Sequence, residues 1–498
     1  MSLVGLAVLV VYTLVTCYRN YHKCPQFDGP FLAKISGAWL LYHTFSGKLN
    51  LHNGALLRKY GSFARISPDK VVTNDPVVLR HMSSPRSEFR RGTFYDAFSI
   101  QPPLRNVLSQ KDEKLHNSLR SKLIRGYSGK DLPNLEADID ARIVDLVNLI
   151  QTESSNNKLI DFSASAQYFT LDVVTHISFS APVGYLRQNR DVYSYISKVS
   201  DYLQVLELGA NSPTIQRILD SGLMAPFRPK TTDTDGMGAM MGMASKAVAF
   251  HYAPDAKAYP DMLGSFIKHG LTQQEAESEA MVQVLGGSDS TATAIRMIML
   301  YIITHPDVYA KCVQEIEANE HVFTASHSIT SADSRKHLPY VQACIKEGMR
   351  IWPPLQALNS KLSPPGGETV NAVFIPGGIE VCHNAYTTQR RVEIYGADAE
   401  YFRPERWLEA AAEAGKPEAD GKTRLARMES TLELIFGSGR FGCLGRHIAL
   451  IELDKVIPVL LRNFQWAVAD PSRAIESKCY GVFVQKGMWL KATPRTEY

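Results

Sequence analysis

The sequence predicts a mainly α protein with a small β region. Residues 135–150 and 163–177 carry apolar side chains three and four positions apart, which is the period of an amphipathic helix. A third and longer helical pattern runs from about residue 272 to residue 304. Short runs rich in β-branched and aromatic residues, such as 63–66 and 70–73, lie between turn signals. Long helices and few short strands together favour the mainly α class.

The composition indicates one large domain. The chain has 498 residues, 45% of them hydrophobic, and neither a flexible linker nor an internal repeat divides it after residue 30. We therefore expect a single domain over residues 31–498. The 54 basic and 50 acidic side chains nearly balance and do not cluster, so no nucleic-acid partner is expected. The seven scattered cysteines form no C-x-x-C pair, which argues for a reducing compartment and against a disulfide framework or a zinc site.

The amino terminus has the pattern of a membrane anchor. Residues 3–17 carry no charge, and residues 1–18 approach the ~20 apolar residues that a spanning helix needs. A cleaved signal peptide is the main alternative, but no basic residue precedes the apolar run and no small-x-small site follows it. Basic residues at positions 19–23 follow instead, which by the positive-inside rule keeps the rest of the chain cytosolic. Prolines and a glycine then predict that residues 19–30 form a short hinge.

Other elements follow along the chain. His116 and Arg120 are four residues apart in one predicted helix and therefore share a face. A β-hairpin is expected to turn at residues 376–378. Helical patterns also cover residues 50–60, 76–82, 113–125 and 235–250.

A glycine-rich turn near the carboxyl terminus carries Cys443. Four glycines between positions 437 and 445 free the backbone to take unusual dihedral angles and to approach a flat ligand closely. The apolar run that follows predicts a helix, and a cysteine at the N-terminal end of a helix is favoured as the thiolate. A thiolate bound to iron donates electron density and promotes O–O cleavage. A buried structural cysteine in a glycine-rich turn is the alternative.

A second stretch places an acid beside two hydroxyls in the long helix. Gly286 and Gly287 in a helix interior cost roughly 1 kcal/mol each relative to alanine, so we expect close approach to the backbone or a local widening of the helix. Asp289, Ser290 and Thr291 can position a water chain that delivers protons to bound dioxygen. A helix with a polar kink is the alternative.

These stretches resemble the cytochrome P-450 (haem-thiolate monooxygenase) superfamily. Phe436, Gly439, Cys443 and Gly445 fall on the fixed positions of its haem-binding loop, F-x-x-G-x-R-x-C-x-G. The sequence departs from this pattern at Phe441, where the family usually carries an arginine or a histidine. The acid–hydroxyl stretch is similar to [A/G]-G-x-[D/E]-T-[T/S], with a serine in place of the usual threonine. The motif order matches across the chain after the anchor and is most like fungal members of the pisatin-demethylase-like branch.

The resemblance implies a cytochrome P-450 fold with haem b buried between two long helices. Cys443 would be the axial ligand of the haem iron, and Arg440 would replace the missing basic residue at Phe441 as a contact of a haem propionate. The residues implied to bind the cofactor are Cys443, His116, Arg120, Lys361, Arg440, Phe436, Gly437 and Gly445. The implied proton relay is Asp289, Ser290 and Thr291, and the implied structural triad is Glu347, Arg350 and Arg406. The residues implied to line the substrate pocket are Phe98, Leu285, Leu355, Leu358 and Phe483.

The resemblance also implies the reaction. One oxygen atom of O2 would enter an apolar small molecule by hydroxylation, epoxidation or oxidative demethylation, within fungal secondary metabolism. Electrons would come from NADPH through a separate reductase, since no flavin or Rossmann fingerprint is present. A single-pass anchor in the endoplasmic reticulum membrane would leave the catalytic domain in the cytosol. One alternative is a haem-thiolate isomerase or dehydratase that does not use O2, and Asp289 and Ser290 argue against it. The other is a non-catalytic haem-binding protein, which would not need the Gly286-Gly287 helix with its hydroxyls.

Overall fold

The computed structural model describes residues 3–100, 104–324, 328–413 and 422–495. It is mainly helical with a small β region, so the predicted fold class is confirmed. The helices are α1 (Leu3–Tyr21), α2 (Phe31–Ile35), α3 (Ala38–Phe45), α4 (Leu49–Tyr60), α5 (Pro76–His81), α6 (Glu113–Tyr127), α7 (Leu135–Ser155), α8 (Phe162–Phe179), α9 (Tyr185–Gln188), α10 (Tyr195–Asn211), α11 (Pro213–Leu219), α12 (Gly236–His251), α13 (Met262–Lys268), α14 (Gln273–Ile303), α15 (Pro306–Ala318), α16 (Ser331–His337), α17 (Pro339–Ile351), α18 (Ala385–Thr388), α19 (Val392–Tyr395), α20 (Glu405–Ala412), α21 (Arg424–Leu432) and α22 (Arg446–Asn463). The strands are β1 (Phe63–Ser67), β2 (Lys70–Thr73), β3 (Arg90–Arg91), β4 (Ile160–Asp161), β5 (Lys361–Leu362), β6 (Glu368–Val370), β7 (Val373–Ile375), β8 (Glu380–His383), β9 (Phe464–Val468), β10 (Glu476–Tyr480), β11 (Val482–Lys486) and β12 (Trp489–Pro494).

Helix α14 is the central element of the core. Its 31 residues span about 46 Å at 1.5 Å per residue. Thr272 and Glu275 form a capping box at its start, which satisfies N–H groups that have no partner within the helix. The helix packs against α8, α12, α17 and α22, so it is buried on several sides at once. It is continuous through Gly286 and Gly287, without the predicted widening.

The five-stranded sheet has the strand order β1-β2-β8-β5-β3. Strands β2 and β8 are parallel, and the other neighbouring pairs are antiparallel. In the β3–β5 pair, Arg91 lies opposite Lys361. Small sheets β10-β11, β4-β12-β9 and β6-β7 complete the β region.

The predicted hairpin turn at residues 376–378 is wrong. Strands β6 and β7 are joined instead by Asn371 and Ala372, whose φ angles are 48° and 61°. An asparagine tolerates this left-handed conformation because its short side chain can hydrogen-bond locally. The Pro-Gly-Gly sequence at 376–378 leads from β7 to β8, which belongs to a different sheet.

The amino-terminal helix extends further than the predicted anchor. Helix α1 runs to Tyr21 rather than to residue 18, and residues 1 and 2 of the predicted anchor lie outside the described residues. Within the described part of the chain, α1 is the one helix that is long and apolar enough to cross a membrane, and none of it is buried. The predicted hinge at 19–30 is not open chain, because Cys24 and Phe27 are buried in the domain.

Candidate functional site

One face of α14 is open although the helix lies in the core. Val282, Gly286 and Ser290 keep exposed surface, and they are four residues apart on one face of the helix. Leu285 beside them is also partly exposed, whereas residues 291–300 are all buried. An exposed stripe on a core helix indicates an open space inside the protein.

The loop before α22 presents Cys443. Gly437 and Gly439 have φ angles of 72° and 55°, and a Cβ at Gly439 would lie 2.0 Å from the backbone oxygen of Ser83. The loop folds back so that the Cys443 N–H donates to the Phe436 oxygen at 2.7 Å. Among the cysteines of the described residues, Cys443 is the exposed one. Burial nevertheless raises the pKa of its thiol, so the exposed sulfur borders an internal space rather than the outer surface.

Backbone and charged groups near Cys443 lower the pKa of its thiol and so oppose the effect of burial. The N–H groups of Gly445 and Arg446, at the start of α22, lower the pKa of its thiol, as does the Arg120 guanidinium. Arg120 also donates from Nη1 to the Gly442 oxygen at 2.8 Å. Arg120, one of the predicted site residues, therefore holds the loop by a hydrogen bond, and its positive charge stabilises the thiolate of Cys443.

Phe441 lies inside a group of basic side chains. Its ring centroid is 3.6 Å from Lys361 Nζ, 4.9 Å from Arg91 Cζ and 5.0 Å from Arg440 Cζ. The His116 ring centroid is 5.4 Å away. Cations stack favourably on an aromatic face, so the phenylalanine packs among charges without adding one. We call Arg91, Lys361, Arg440 and His116, with the ring of Phe441, the Phe441 cluster.

The Phe441 cluster carries more positive than negative charge. Glu113 pairs with Arg440 at 3.0 Å, but burial raises the pKa of the other nearby carboxyl, Glu279, to about 8. Burial, followed by the charges of Arg91 and Arg440, lowers the pKa of Lys361 well below its usual value. Burial also lowers the pKa of Arg91 to about 10. Such lowered pKa values indicate cations that lack an anionic partner.

Three buried nitrogens of the cluster have no hydrogen-bond partner within the described residues. They are Arg91 Nε, His116 Nε2 and Arg440 Nε. Buried polar atoms are nearly always paired, so unpaired donors beside excess positive charge point to an anionic ligand.

Most donors of Arg440 are bound by the protein itself, while its Nε has no hydrogen-bond partner within the described residues, so its contact with a propionate stays a prediction. The structure also adds a basic residue that the sequence analysis missed. Arg440 Nη2 donates to the backbone oxygens of Ser87 and Phe89, at 2.9 and 2.7 Å, and its other contacts go to Glu113. Arg91 is the additional cation at the Phe441 ring. No local pattern in the sequence marks Arg91. It reaches the site through the pairing of β3 with β5, which joins residues 270 positions apart in the chain.

The acid and the hydroxyl of the predicted relay lie on different faces of α14. Asp289 accepts a hydrogen bond from Gln167 Nε2 of α8 at 2.5 Å, and burial raises its pKa to about 6. Ser290 Oγ donates to the Gly286 oxygen at 3.0 Å and lies on the open stripe. Thr291 is buried. Successive helix residues point about 100° apart, so only Ser290 of the three borders the internal space.

The structure brings the predicted triad together. Arg350 makes a bidentate pair with Glu347, at 2.7 and 2.8 Å, and Arg406 Nε donates to the same carboxylate at 3.0 Å. All three side chains are fully buried. Trp407 Nε1 donates to Glu347 at 2.9 Å, so the carboxylate joins α17 to α20.

The predicted pocket residues divide into two groups. Phe98, Leu285 and Leu355 are partly exposed, as residues that border an internal space would be. Leu358 and Phe483 are buried, and the Phe483 ring packs against Trp352 at 5.2 Å. Leu358 and Phe483, which were predicted to line the pocket, therefore lie in the packed core rather than at an open space. Since side chains alternate along a strand, Val482 and Val484, which flank Phe483 and are partly exposed, are better placed to border it.

Comparison with known proteins decides the family. The family model described as Cytochrome P450 matches residues 29–487. The chain belongs to this family. The P450 resemblance seen in the sequence is therefore confirmed.

This P450 has curated relatives of nearly its own length. "Cytochrome P450 monooxygenase ABA1" of Pyricularia oryzae is 36% identical, over 98% of this chain and 96% of the relative. "Cytochrome P450 monooxygenase aba1" of Botryotinia fuckeliana is 35% identical, over 94% of this chain and 92% of the relative. "Cytochrome P450 monooxygenase mpaDE" of Penicillium brevicompactum is 27% identical over 93% of this chain, which covers 55% of that longer protein.

The residues of this P450 fit a haem. The described residues hold no group of three or more His, Cys, Asp or Glu that could bind a metal ion. A haem would need only Cys443 from the protein as its axial thiolate ligand. The unpaired donors of the Phe441 cluster suit the two propionate carboxylates of such a group. A Cβ at Gly286 would meet nothing within 4 Å, which leaves room for a flat ring system beside α14.

Proposed function

We propose that this P450 is a monooxygenase of apolar small molecules in which Cys443 holds the haem iron and the open stripe of α14 borders the reacting substrate. The observation that carries the proposal is Cys443, which is exposed at the start of α22 although burial raises the pKa of its thiol. Haem supplies, when bound, the iron at which O2 is activated. Membership of a family of haem-thiolate monooxygenases supports the reaction class.

The residues of this chain have distinct roles in the proposal. Cys443 binds the iron as the thiolate, helped by the start of α22 and by Arg120. Arg91, Lys361 and His116 of the Phe441 cluster hold the propionates and so orient the ring. The apolar side chains at the internal space exclude water and select an apolar substrate.

Proton delivery is assigned to Ser290 as the residue at the open face. Its hydroxyl donates to the Gly286 carbonyl, so its oxygen can accept a hydrogen bond from a water on the stripe. If the hydroxyl turns toward a second water, it can pass its proton on while the oxygen takes a proton from the first. Asp289 is turned toward α8, so it supplies protons to Ser290 only through movement or through waters. Thr291 supports the helix behind the two.

The proposed location and redox partner of the protein rest on the sequence predictions and on helix α1. Helix α1 anchors the protein in the endoplasmic reticulum membrane, with residues 31–498 as the catalytic domain on the cytosolic side. NADPH-derived electrons arrive from a separate reductase. The fungal relatives favour a role in secondary metabolite biosynthesis.

The axial ligand is tested by the optical spectrum of the reduced, carbon-monoxide-bound protein. The wild-type protein should show a strongly red-shifted Soret band, and Cys443→Ala should lose it because no thiolate reaches the iron. Cys479→Ala is the control, since Cys479 is buried in β10 away from the loop. A shifted band that persists in Cys443→Ala would overturn the ligand assignment.

The relay is tested by the peroxide released for each NADPH consumed. Ser290→Ala should raise peroxide release and lower productive turnover by about one order of magnitude or more, because a positioned proton donor is lost. Ser278→Ala, about three turns earlier in the same helix, is the matched control. Unchanged coupling in Ser290→Ala would assign the relay to Thr291 or to water alone.

A further inference from the structure

The carboxyl-terminal end of α1 meets a buried arginine. Arg65 of β1 is fully buried, and its guanidinium donates to the backbone oxygens of Asn20 at 2.5 Å and Tyr21 at 3.0 Å. It also donates to the oxygens of Pro68 at 2.8 Å and Ser67 at 3.4 Å, in the β1–β2 turn. The last carbonyls of a helix lack intrahelical partners and carry partial negative charge, so a cation is favoured there. Arg65 therefore joins the end of α1 to the five-stranded sheet.

The segment that follows α1 packs on the same sheet. Cys24 and Phe27 are buried, and the Phe27 ring lies 5.4 Å from that of Phe63 in β1. A Cβ at Gly29 would lie 2.3 Å from the backbone oxygen of Arg65, so the two backbones touch. The connection between helix and domain is thus held by both polar and apolar contacts.

Large apolar side chains next to α1 are exposed. Phe31 and Leu32 of α2 are 68% and 44% exposed, and Tyr42 and Phe45 of α3 are 73% and 65% exposed. Helix α2 packs against α1 and α3, so this apolar face continues from the anchor. The 19 residues of α1 span about 28 Å, close to the ~30 Å thickness of the hydrocarbon core. With α1 across the hydrocarbon core, the apolar face of α2 and α3 lies at the boundary between that core and the lipid headgroups.

We propose that Arg65 docks the anchor helix rigidly to the catalytic domain, so that the α2–α3 apolar face lies in the membrane surface at one fixed orientation. The occupant of this face is the lipid bilayer, because the face is continuous with the helix that enters it. The inference rests on the membrane anchor proposed above. It differs from a hinged tether, in which the domain would sample many orientations.

The experiment uses the full-length holoenzyme in bilayers. Linear dichroism of the haem in oriented phospholipid bilayers reports the tilt of the domain, and hydrogen exchange reports the opening of residues 20–30. Arg65→Met keeps the apolar stem but removes every donor. It should broaden the tilt distribution and speed exchange in residues 20–30 at least about tenfold, because the capping contacts are lost. Arg58→Met, at an exposed position of α4, is the matched control and should change neither.

A second variant covers the case in which Arg65→Met does not fold. Two glycines inserted after Tyr18 lie before the two carbonyls that Arg65 holds, so they separate the membrane part of α1 from its docked end while Arg65 and its sheet stay intact. This insertion should give the same broadened tilt. An equal tilt spread in the wild type and the glycine insertion, with both proteins bound to vesicles, would overturn the docking alone. Failure of the wild type to sediment with vesicles would overturn the anchor and the docking together.

Discussion

Two buried groups of basic side chains in this P450 differ in what balances their charge. Around Glu347, two guanidiniums share one carboxylate, and Arg406 also contacts Asp398 at 2.8 Å. The remaining donors of Arg350 reach backbone oxygens at 2.7–2.9 Å. Each charge in this group is therefore satisfied by the chain itself.

The Phe441 cluster has no such internal balance. Lys361 Nζ has the Tyr95 hydroxyl at 3.2 Å and an aromatic ring as its neighbours, while Arg91, Arg440 and His116 leave nitrogens unpaired within the described residues. A buried charge without a partner is costly, so a protein keeps one only where a ligand completes it. The comparison teaches that the balance of buried charge, rather than its amount, separates a structural cluster from a ligand site.

The largest effect is expected where the balanced group is broken. Glu347→Gln leaves the buried Arg350 without an acid and Arg406 with Asp398 alone, and it should lower the free energy of unfolding by about 3–5 kcal/mol. Urea denaturation of the purified protein measures this loss. Glu400→Gln removes a partner of Arg390 whose side chain is 55% exposed, and it should cost about 1 kcal/mol or less. Similar losses in the two variants would contradict the comparison.

Removal of a cation from the unbalanced cluster should not lower the stability of the haem-free protein. Lys361→Met keeps the length of the side chain and removes a buried charge, so the haem-free protein should be as stable as the wild type or more stable. Haem should leave about tenfold faster or more, because a charge-assisted contact to a propionate is lost. Transfer of haem to a scavenger protein measures the second quantity. A loss of stability without faster haem loss would place Lys361 in the structural group.

The smallest effect concerns Glu279, the buried acid near the unbalanced cluster. Burial raises the pKa of Glu279 to about 8, so the folded state holds a proton that the unfolded state releases near pH 4.5. Its favourable contribution is complete below pH 4.5 and is lost as the pH rises toward 8. Glu279→Gln lacks this loss, so its stability relative to the wild type should rise by up to about 1.4 kcal/mol between pH 6 and pH 7. Urea denaturation at both pH values measures it, with Glu277→Gln as the control; equal slopes would mean that Glu279 is ionised.

The sequence could predict the features that depend on neighbours along the chain. Glu347 and Arg350 are one helical turn apart, and the glycines around Cys443 define their loop locally. The extent of α14 follows from its period and its capping box, which the structure confirms within one residue at each end.

Features that depend on pairing between distant strands could not be predicted. Arg91 joins the Phe441 cluster only because β3 pairs with β5, and the Nη2 donor of Arg440 is bound by the backbone oxygens of residues 87 and 89. The different directions of Asp289 and Ser290 could have been derived, since adjacent helix residues point about 100° apart. The burial of Phe483 depends on the position of Trp352, which no local pattern reports.

Gly286 and Gly287 of α14 affect the size of the internal space beside this helix, which we call the chamber, in different ways. A Cβ at Gly286 would meet nothing, whereas a Cβ at Gly287 would lie 2.9 Å from Val174 on α8. The second glycine thus sets how close α14 sits to the helix behind it. A methyl group at that position would push α14 away from α8 and into the chamber. The range of molecules that the enzyme accepts can therefore drift through substitutions behind the wall, while every residue that touches the substrate stays the same.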